Sequence, residues 1–212
     1  SGLASSSSYI ISLIKVCSLF LGIQMTETDM CKLAHELEIS FNPYCGYQDP
    51  YGCGIGGFKR IEFMDNYQIK YEFLPVDLFE FYDTHLVFTG VTRNSKQILK
   101  NVTQNLDKVE PLLQIVEDAH KAILDNELIN FLYYMRVGWD QKKRTSSFII
   151  ENPRIKEIDE ELTQDGNILA HKLCGAGNGG FFLTFSNKNT LTLPYDSVKI
   201  NLVSEGVLGE SV

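Results

Sequence analysis

The chain has 212 residues, with 19 basic and 27 acidic side chains for a net charge of −8, and 44% of it is hydrophobic. Its 13 Phe, 10 Tyr and ordinary charged fraction of 22% exclude a disordered chain, and 16 Gly with 6 Pro in no triplet period exclude a collagen-like one. The acidic balance speaks against nucleic acid as a partner, which would need a broad basic face, whereas a few local donors suffice to hold one small anion.

Residues 1–8 read Ser-Gly-Leu-Ala-Ser-Ser-Ser-Ser, a loop of small side chains. An apolar helix of about twelve residues follows up to Leu21, hydrophobic nearly all round, and Gly22 stops it. Lys15 interrupts this stretch, which is too short to span a bilayer and has no basic leader, so neither a membrane span nor a signal peptide is expected. A buried helix needs a partner layer, so an N-terminal part of the domain is expected to be missing. Thr26 is the expected N-cap of an amphipathic helix running to about Ser40, with Glu27 and Asp29 in its first turn and Asn42-Pro43 at its end. Residues 44–57 hold five glycines in fourteen positions and read as a turn. Residues 58–64 and 68–73 alternate as a hairpin around Asp65-Asn66.

A domain boundary falls near 74–84, dividing the chain into 1–74 and 75–212. Beyond it the pattern predicts a strand at 85–89 and helices at about 94–105, 108–124, 127–143 and 154–164, with Pro153 in the first turn of the last. Strands at 168–173 and 181–185 flank a glycine loop, and 197–203 is the last strand. Strands separated by helical runs predict an α+β fold. Cys17, Cys31, Cys45, Cys53 and Cys174 form no paired framework and are expected to be reduced thiols, with no zinc site. The apolar stretches 79–82 and 131–134 suit a core or an interface, which leaves a homodimer open.

Three groups of residues carry chemistry. Small residues before a helix leave convergent backbone N–H groups, and the helix dipole suits a phosphate there. Serine hydroxyls add hydrogen bonds or an oxygen ligand for Mg²⁺; the plain alternative is a serine-rich linker. Glu38 and Asp49 can divide labour, one holding a metal and the other accepting a proton or orienting a hydroxyl. A solvated helix acid and an Asp-Pro turn are the alternative. In Lys172-Leu-Cys-Gly-Ala-Gly-Asn-Gly-Gly-Phe181, four glycines allow close backbone approach, but the pattern is neither a Walker A loop nor a dinucleotide fingerprint.

Taken together, residues 1–8 resemble the phosphate loop P-x-x-S-G-L-G-S-S-S of the GHMP kinases, and residues 172–181 resemble that family's K-x-x-G-A-G-G-G-G-F motif. Gly46-Tyr-Gln-Asp49 with Gly56-Gly57-Phe58, Phe88-Thr-Gly-Val-Thr-Arg93, Trp139-Asp-Gln-Lys142-Lys143 with Ser146, and Ile158-Asp159-Glu160 are similar to segments of the D-glycero-D-manno-heptose 7-phosphate kinases. The resemblance implies the remnant of a ribosomal S5 domain 2-like, ATP-binding N-terminal domain over 1–74 and a ferredoxin-like C-terminal domain over 75–212. It implies a cytoplasmic phosphotransferase that uses ATP and Mg²⁺ and phosphorylates the anomeric hydroxyl of the heptose 7-phosphate, giving a 1,7-bisphosphate for nucleotide-heptose synthesis toward lipopolysaccharide or capsule. Kinases for fucose or galactose, and a non-catalytic nucleotide-binding homologue, are the alternatives.

Residue by residue, the resemblance assigns Gly2, Leu3, Ala4, Ser5, Ser6 and Ser7 to the triphosphate, and Ser6 and Glu38 to the metal. Asp49 becomes the general base or hydroxyl-orienting group, and Gly46, Gln48, Arg93, Lys142, Gly175, Ala176 and Gly177 the sugar-phosphate pocket. No nucleic acid or membrane partner is implied, and without the missing part the 212 residues are expected to be weakly active or inactive. Four departures stand out. Ala4 replaces a loop glycine and is expected to keep φ negative. Asn178 replaces a glycine and is suited to a left-handed φ. Pro50 removes an N–H from the acceptor pocket, and Tyr47 replaces a lysine that would meet phosphate.

Overall fold

The computed structural model describes residues 2–64, 68–92, 95–190 and 195–209. The chain divides into two compact units, one of Leu3–Phe73 with Leu202–Val212 and one of Leu74–Asn201 with Ser1–Gly2. The mixture of helices and antiparallel sheet is α+β. Among the described residues, no helix is long and apolar enough to cross a membrane.

In the first unit, three helices pack beside a hairpin. Helix α1 (Ser5–Phe20) buries Ser7, Ile11, Ile14 and Ser18, a stripe at helical spacing. The expectation of a helix buried nearly all round does not hold within this unit: Tyr9, Leu13, Val16 and Phe20 lie on the opposite stripe and are exposed, Phe20 to 88%. The helix also starts earlier than expected, so Ser5–Ser8 are its first turn rather than a loop. Helix α2 (Glu27–Phe41) begins as its sequence predicts. Thr26 Oγ1 accepts from Asp29 N at 3.1 Å, and Asp29 Oδ2 accepts from Thr26 N at 3.3 Å, a reciprocal cap. Ile11, Ile14, Met30, Cys31, Ala34, Tyr51 and Ile55 form the core.

The segment expected as a glycine-rich turn contains helix α3 (Gln48–Gly54). Pro50 sits in its first turn, where a missing N–H costs little, and buried Tyr51 and Ile55 anchor the segment in the core. The remaining glycines serve close chain approach. A Cβ on Gly56 would lie 2.2 Å from the Glu205 carbonyl carbon, because the tail returns here: Gly57 N donates to Val203 O at 2.8 Å. Strands β1 (Lys59–Phe63) and β2 (Ile69–Phe73) pair antiparallel, from Lys59 opposite Phe73 to Phe63 opposite Ile69. The expected Asp65-Asn66 turn lies outside the described residues.

The second unit holds a four-stranded antiparallel sheet and five helices among the described residues. In chain order these are α4 (Asp77–Phe81), β3 (Tyr82–Phe88), α5 (Ser95–Thr103), α6 (Glu110–Leu124), α7 (Leu128–Thr145), α8 (Pro153–Gln164), β4 (Ile168–Leu173), β5 (Phe181–Asn187) and β6 (Ser197–Lys199). The strand order is β4-β5-β3-β6. The short α4 had no pattern to announce it, and β6 stops at Lys199 instead of Val203 because the chain leaves the sheet for the first unit. Val87, Leu173 and Phe182 from the sheet meet Trp139, Ile149, Ile155, Ile158 and Leu162 in one core. Of the two aromatic stretches, Leu132 is core while Tyr133 and Phe81 stay exposed, because alternate sides of each segment face inward.

A polar knot lies at the edge of that core. Asp159 is buried, and its Oδ1 accepts from Trp139 Nε1 at 2.6 Å and meets His171 Nε2 at 2.8 Å. Its Oδ2 accepts from Lys143 Nζ at 2.9 Å. Burial alone would raise the Asp159 carboxyl, but these bonds outweigh it and hold the pKa at about 2. The unfolded value is about 3.9, so the carboxylate contributes stability above that pH and the contribution is lost as pH falls toward 2. Denaturant midpoints measured from about pH 6 down to about pH 2 are expected to fall more steeply in the wild type than in Asp159→Asn, which starts lower and has less to lose.

Candidate active site

The first group of site residues forms where α1 begins. Its N-terminus has no side-chain cap and no acidic residue in its first turn, unlike that of α2. The first N–H groups of a helix have no intrahelical acceptor, so this end offers donors and partial positive charge to an anion. Gly2 and Ala4 bring the chain in with φ of 93° and 51°. The expectation of a negative φ at Ala4 is therefore overturned: alanine takes the left-handed conformation, at about 1–2 kcal/mol, because the turn into α1 requires it whichever residue stands there.

The Glu38 carboxylate on α2 meets that first turn. Its Oε1 accepts from Ser6 Oγ at 2.9 Å and from Ser7 Oγ at 2.7 Å. Ser7 is fully buried and Glu38 nearly so, while Ser5 and Ser6 face solvent. The buried spacing Met30, Ala34, Glu38 on α2 places the carboxylate on the face turned to α1. A carboxylate and an exposed hydroxyl side by side are hard oxygen donors that suit Mg²⁺, a cation usually bound by one or two protein oxygens together with substrate phosphates. Among the described residues no cluster of three acidic, histidine or cysteine side chains forms a metal cage.

Asp49 lies in the first turn of α3 and is exposed. Burial raises the Cys45 and Cys53 thiols, and the charges of both Glu38 and Asp49 add to the rise at each. Both carboxylates are therefore within electrostatic reach of the same two thiols and share one neighbourhood. Cys31 Sγ donates to Pro50 O at 3.3 Å, so α2 holds α3 in place, and the Ser8 hydroxyl on α1 opposes the rise of the Cys53 thiol. Gly46 and Gln48 are exposed beside it, and a Cβ on Gly46 would meet nothing within 4 Å. Tyr47 turns into an aromatic cluster, its ring 3.8 Å from that of His35 and 5.6 Å from that of Phe63.

The second group lies wholly in the other unit. Lys142 on α7 donates to Gly175 O at 2.6 Å, which joins the W-x-x-K-K segment to the glycine loop. The loop is pinned from the end of β3, where Thr89 Oγ1 donates to Gly180 O at 2.8 Å and Gly180 N to Val91 O at 3.0 Å. Asn178 takes φ 55°, as its suitability for a left-handed position implied, and its Oδ1 accepts from Asn152 N at 2.8 Å. Ala176 packs against the core. Gly177 has φ 116°, and a Cβ there would lie 2.9 Å from Ile149 Cα. Gly177→Ala is expected to cost about 2–4 kcal/mol from strain and clash together, read as a lower denaturant midpoint. Arg93 lies outside the described residues.

Sequence reasoning missed Thr89 as a loop anchor and the Trp139–Asp159–Lys143 bonds that fix α7 beside Lys142. The F-T-G and W-x-x-K-K patterns were the available signals, and they pointed to a ligand rather than to support of the loop.

Residues 1–57 match the sequence profile of the GHMP kinases N terminal domain. The chain is 29% identical over 196 residues to the D-glycero-alpha-D-manno-heptose 7-phosphate kinase of Campylobacter jejuni, which covers 87% of this chain and 57% of that protein. It is 28% identical over 197 residues to the L-fucokinase/L-fucose-1-P guanylyltransferase of Bacteroides fragilis, which covers 85% of this chain and 20% of that one. The chain thus spans just over half the length of the first relative and a fifth of the second. Its fold is like that of Lactococcus lactis galactokinase, solved with galactose, with a TM-score of 0.77 at 16% identity over 97% of this chain and 67% of that one. Residues 1–57 thus match the N-terminal domain of the GHMP kinases, and the chain is similar in sequence and fold to kinases that carry that domain.

Proposed function

We propose that the protein is a cytoplasmic, ATP-dependent sugar kinase that phosphorylates the anomeric hydroxyl of D-glycero-D-manno-heptose 7-phosphate. The observation that carries this reading is the Glu38 carboxylate bonded to Ser6 and Ser7 at the uncapped start of α1. The relative that acts on the heptose 7-phosphate supports the choice of acceptor. In this reading residues 1–74 are the ATP-binding part and 75–212 the C-terminal domain.

The N–H groups of Leu3 to Ser6 and the exposed Ser5 hydroxyl hold the triphosphate, whereas Ser7, assigned there by the resemblance, is fully buried and supports Glu38 instead. Ser6 and Glu38 hold Mg²⁺, which neutralises charge on the phosphates when bound. Asp49 accepts the proton of the attacking hydroxyl as its oxygen bonds to the γ-phosphorus and the bond to ADP breaks. Within the first unit Gly46 and Gln48 are the groups assigned to the acceptor, and within the second Lys142, Arg93 and the loop of Gly175, Ala176 and Gly177 are the groups assigned to a sugar phosphate. Most of the acceleration then comes from positioning and charge neutralisation. Pro50 is tolerated because it occupies a helix turn that needs no N–H from it, and the aromatic packing of Tyr47 leaves phosphate binding to other side chains.

A fucose-type acceptor is the second reading, favoured by a near-equal identity to the fucokinase. The test is a coupled ADP-release assay with Mg²⁺ on the product of the complete reading frame, offering heptose 7-phosphate, fucose, galactose and mevalonate. ADP release with heptose 7-phosphate alone is expected. Turnover with fucose alone would replace the acceptor, and nucleotide binding without transfer to any acceptor would remove the catalytic reading.

A further inference from the structure

Lys59, the first residue of β1, carries an ammonium held by main-chain carbonyls. Its Nζ donates to Gly52 O at 3.2 Å, Gly56 O at 3.4 Å, Gly57 O at 3.5 Å and to Ile55 O. An ammonium has three protons, so four surrounding acceptors saturate it in the way that oxygens ring a bare monovalent cation. Among the described residues no carboxylate forms an ion pair with it. Burial lowers the pKa of the ammonium, and the nearby Cys31, Cys53 and Glu27 oppose that effect.

The four carbonyls belong to one stretch, the last turn of α3 and its exit. A cation there complements the negative end of the helix and neutralises carbonyls that would otherwise repel one another. The same stretch receives the returning tail through Gly57 N and Gly54 O. Asp49 stands at the opposite end of this seven-residue helix. A rigid helix that is fixed at one end carries its other end with it.

We propose that Lys59 is a tethered monovalent cation: a positioning residue whose ammonium gathers the carbonyls of Gly52, Ile55, Gly56 and Gly57 and so sets the place of Asp49. Removing the side chain leaves a carbonyl ring that takes potassium or ammonium ion. The statement about Asp49 rests on the kinase reading above; the statement about the carbonyl ring does not.

The test compares wild type, Lys59→Ala and Lys59→Met in chloride salts of potassium, ammonium and choline at equal ionic strength. Lys59→Ala is expected to lower Tm by about 3–8 °C, and potassium or ammonium to restore about half of the loss while choline restores none. Lys59→Met, whose apolar chain fills the space, loses a similar amount and gains nothing specific from either ion. In the ADP-release assay, kcat of Lys59→Ala falls about tenfold with KM for ATP unchanged and recovers in potassium. An unchanged Tm in Lys59→Ala, or equal recovery in choline, would overturn the carbonyl-ring proposal. A restored Tm without restored kcat would overturn the positioning role, whereas no phosphoryl transfer by the wild type would count against the kinase reading and leave the Tm series to decide the ring.

If neither variant folds, amine labelling of the native protein decides. Lys59 is expected to react at least tenfold more slowly than the exposed Lys70 and Lys156, and equal rates would overturn the proposal.

Discussion

Glu38→Gln is expected to reduce phosphoryl transfer by about 10²–10³-fold while leaving the fold intact. Glutamine has nearly the same shape, and its amide oxygen can still accept from Ser6 Oγ and Ser7 Oγ, which now share Oε1 at 2.9 and 2.7 Å. What it removes is the negative charge, the property a divalent cation needs from this position. Mg²⁺ affinity of the nucleotide complex should fall about 10–100-fold, and Tm should move by less than about 2 °C. Glu38→Ala separates the two roles further. It leaves the fully buried Ser7 hydroxyl without its acceptor and adds a stability loss of about 1–3 kcal/mol. Full turnover in Glu38→Gln, measured at saturating Mg²⁺ and ATP, would remove Glu38 from metal binding and leave it a structural acceptor.

Asp49→Asn is expected to cut kcat by about 10²–10⁴-fold with KM for ATP nearly unchanged. The residue is exposed in the first turn of α3, where its charge also interacts favourably with the helix dipole. Because a base must be deprotonated to act, the acidic limb of the kcat profile of the wild type should flatten in the variant. A kcat within twofold of wild type at neutral pH would take Asp49 out of the chemistry and point to water as the proton acceptor.

Much of this arrangement was legible in local pattern. Thr26, Glu27 and Asp29 announce α2 because a cap is a contact among residues a few positions apart. Asn178 was readable for the same reason, since the demand for a left-handed φ lies in the residue itself. Ser6 and Glu38 could be paired only through a family resemblance, as nothing in their spacing brings two separate helices together. Helix α3 was not legible. Gly46, Pro50, Gly52 and Gly54 argue for a turn, and the opposing terms are distant: Tyr51 and Ile55 in the core, Lys59 on the carbonyls, and the tail at Val203. Ala4 shows the same limit, because the path of the chain into α1 overrode the preference of alanine. The burial of α1 was overestimated because composition reports how apolar a helix is, not how many of its faces are covered. The knot at Asp159 joins α7, α8 and β4, and no local signal links those three elements.

Metal-assisted nucleotide binding at the start of α1 can be read by calorimetric titration of the protein with ATP, in Mg²⁺ and then in EDTA, repeated with Ser6→Ala. Mg²⁺ is expected to tighten binding at least tenfold in the wild type and by a much smaller factor once the Ser6 hydroxyl is gone. An ATP affinity indifferent both to Mg²⁺ and to Ser6 would contradict it.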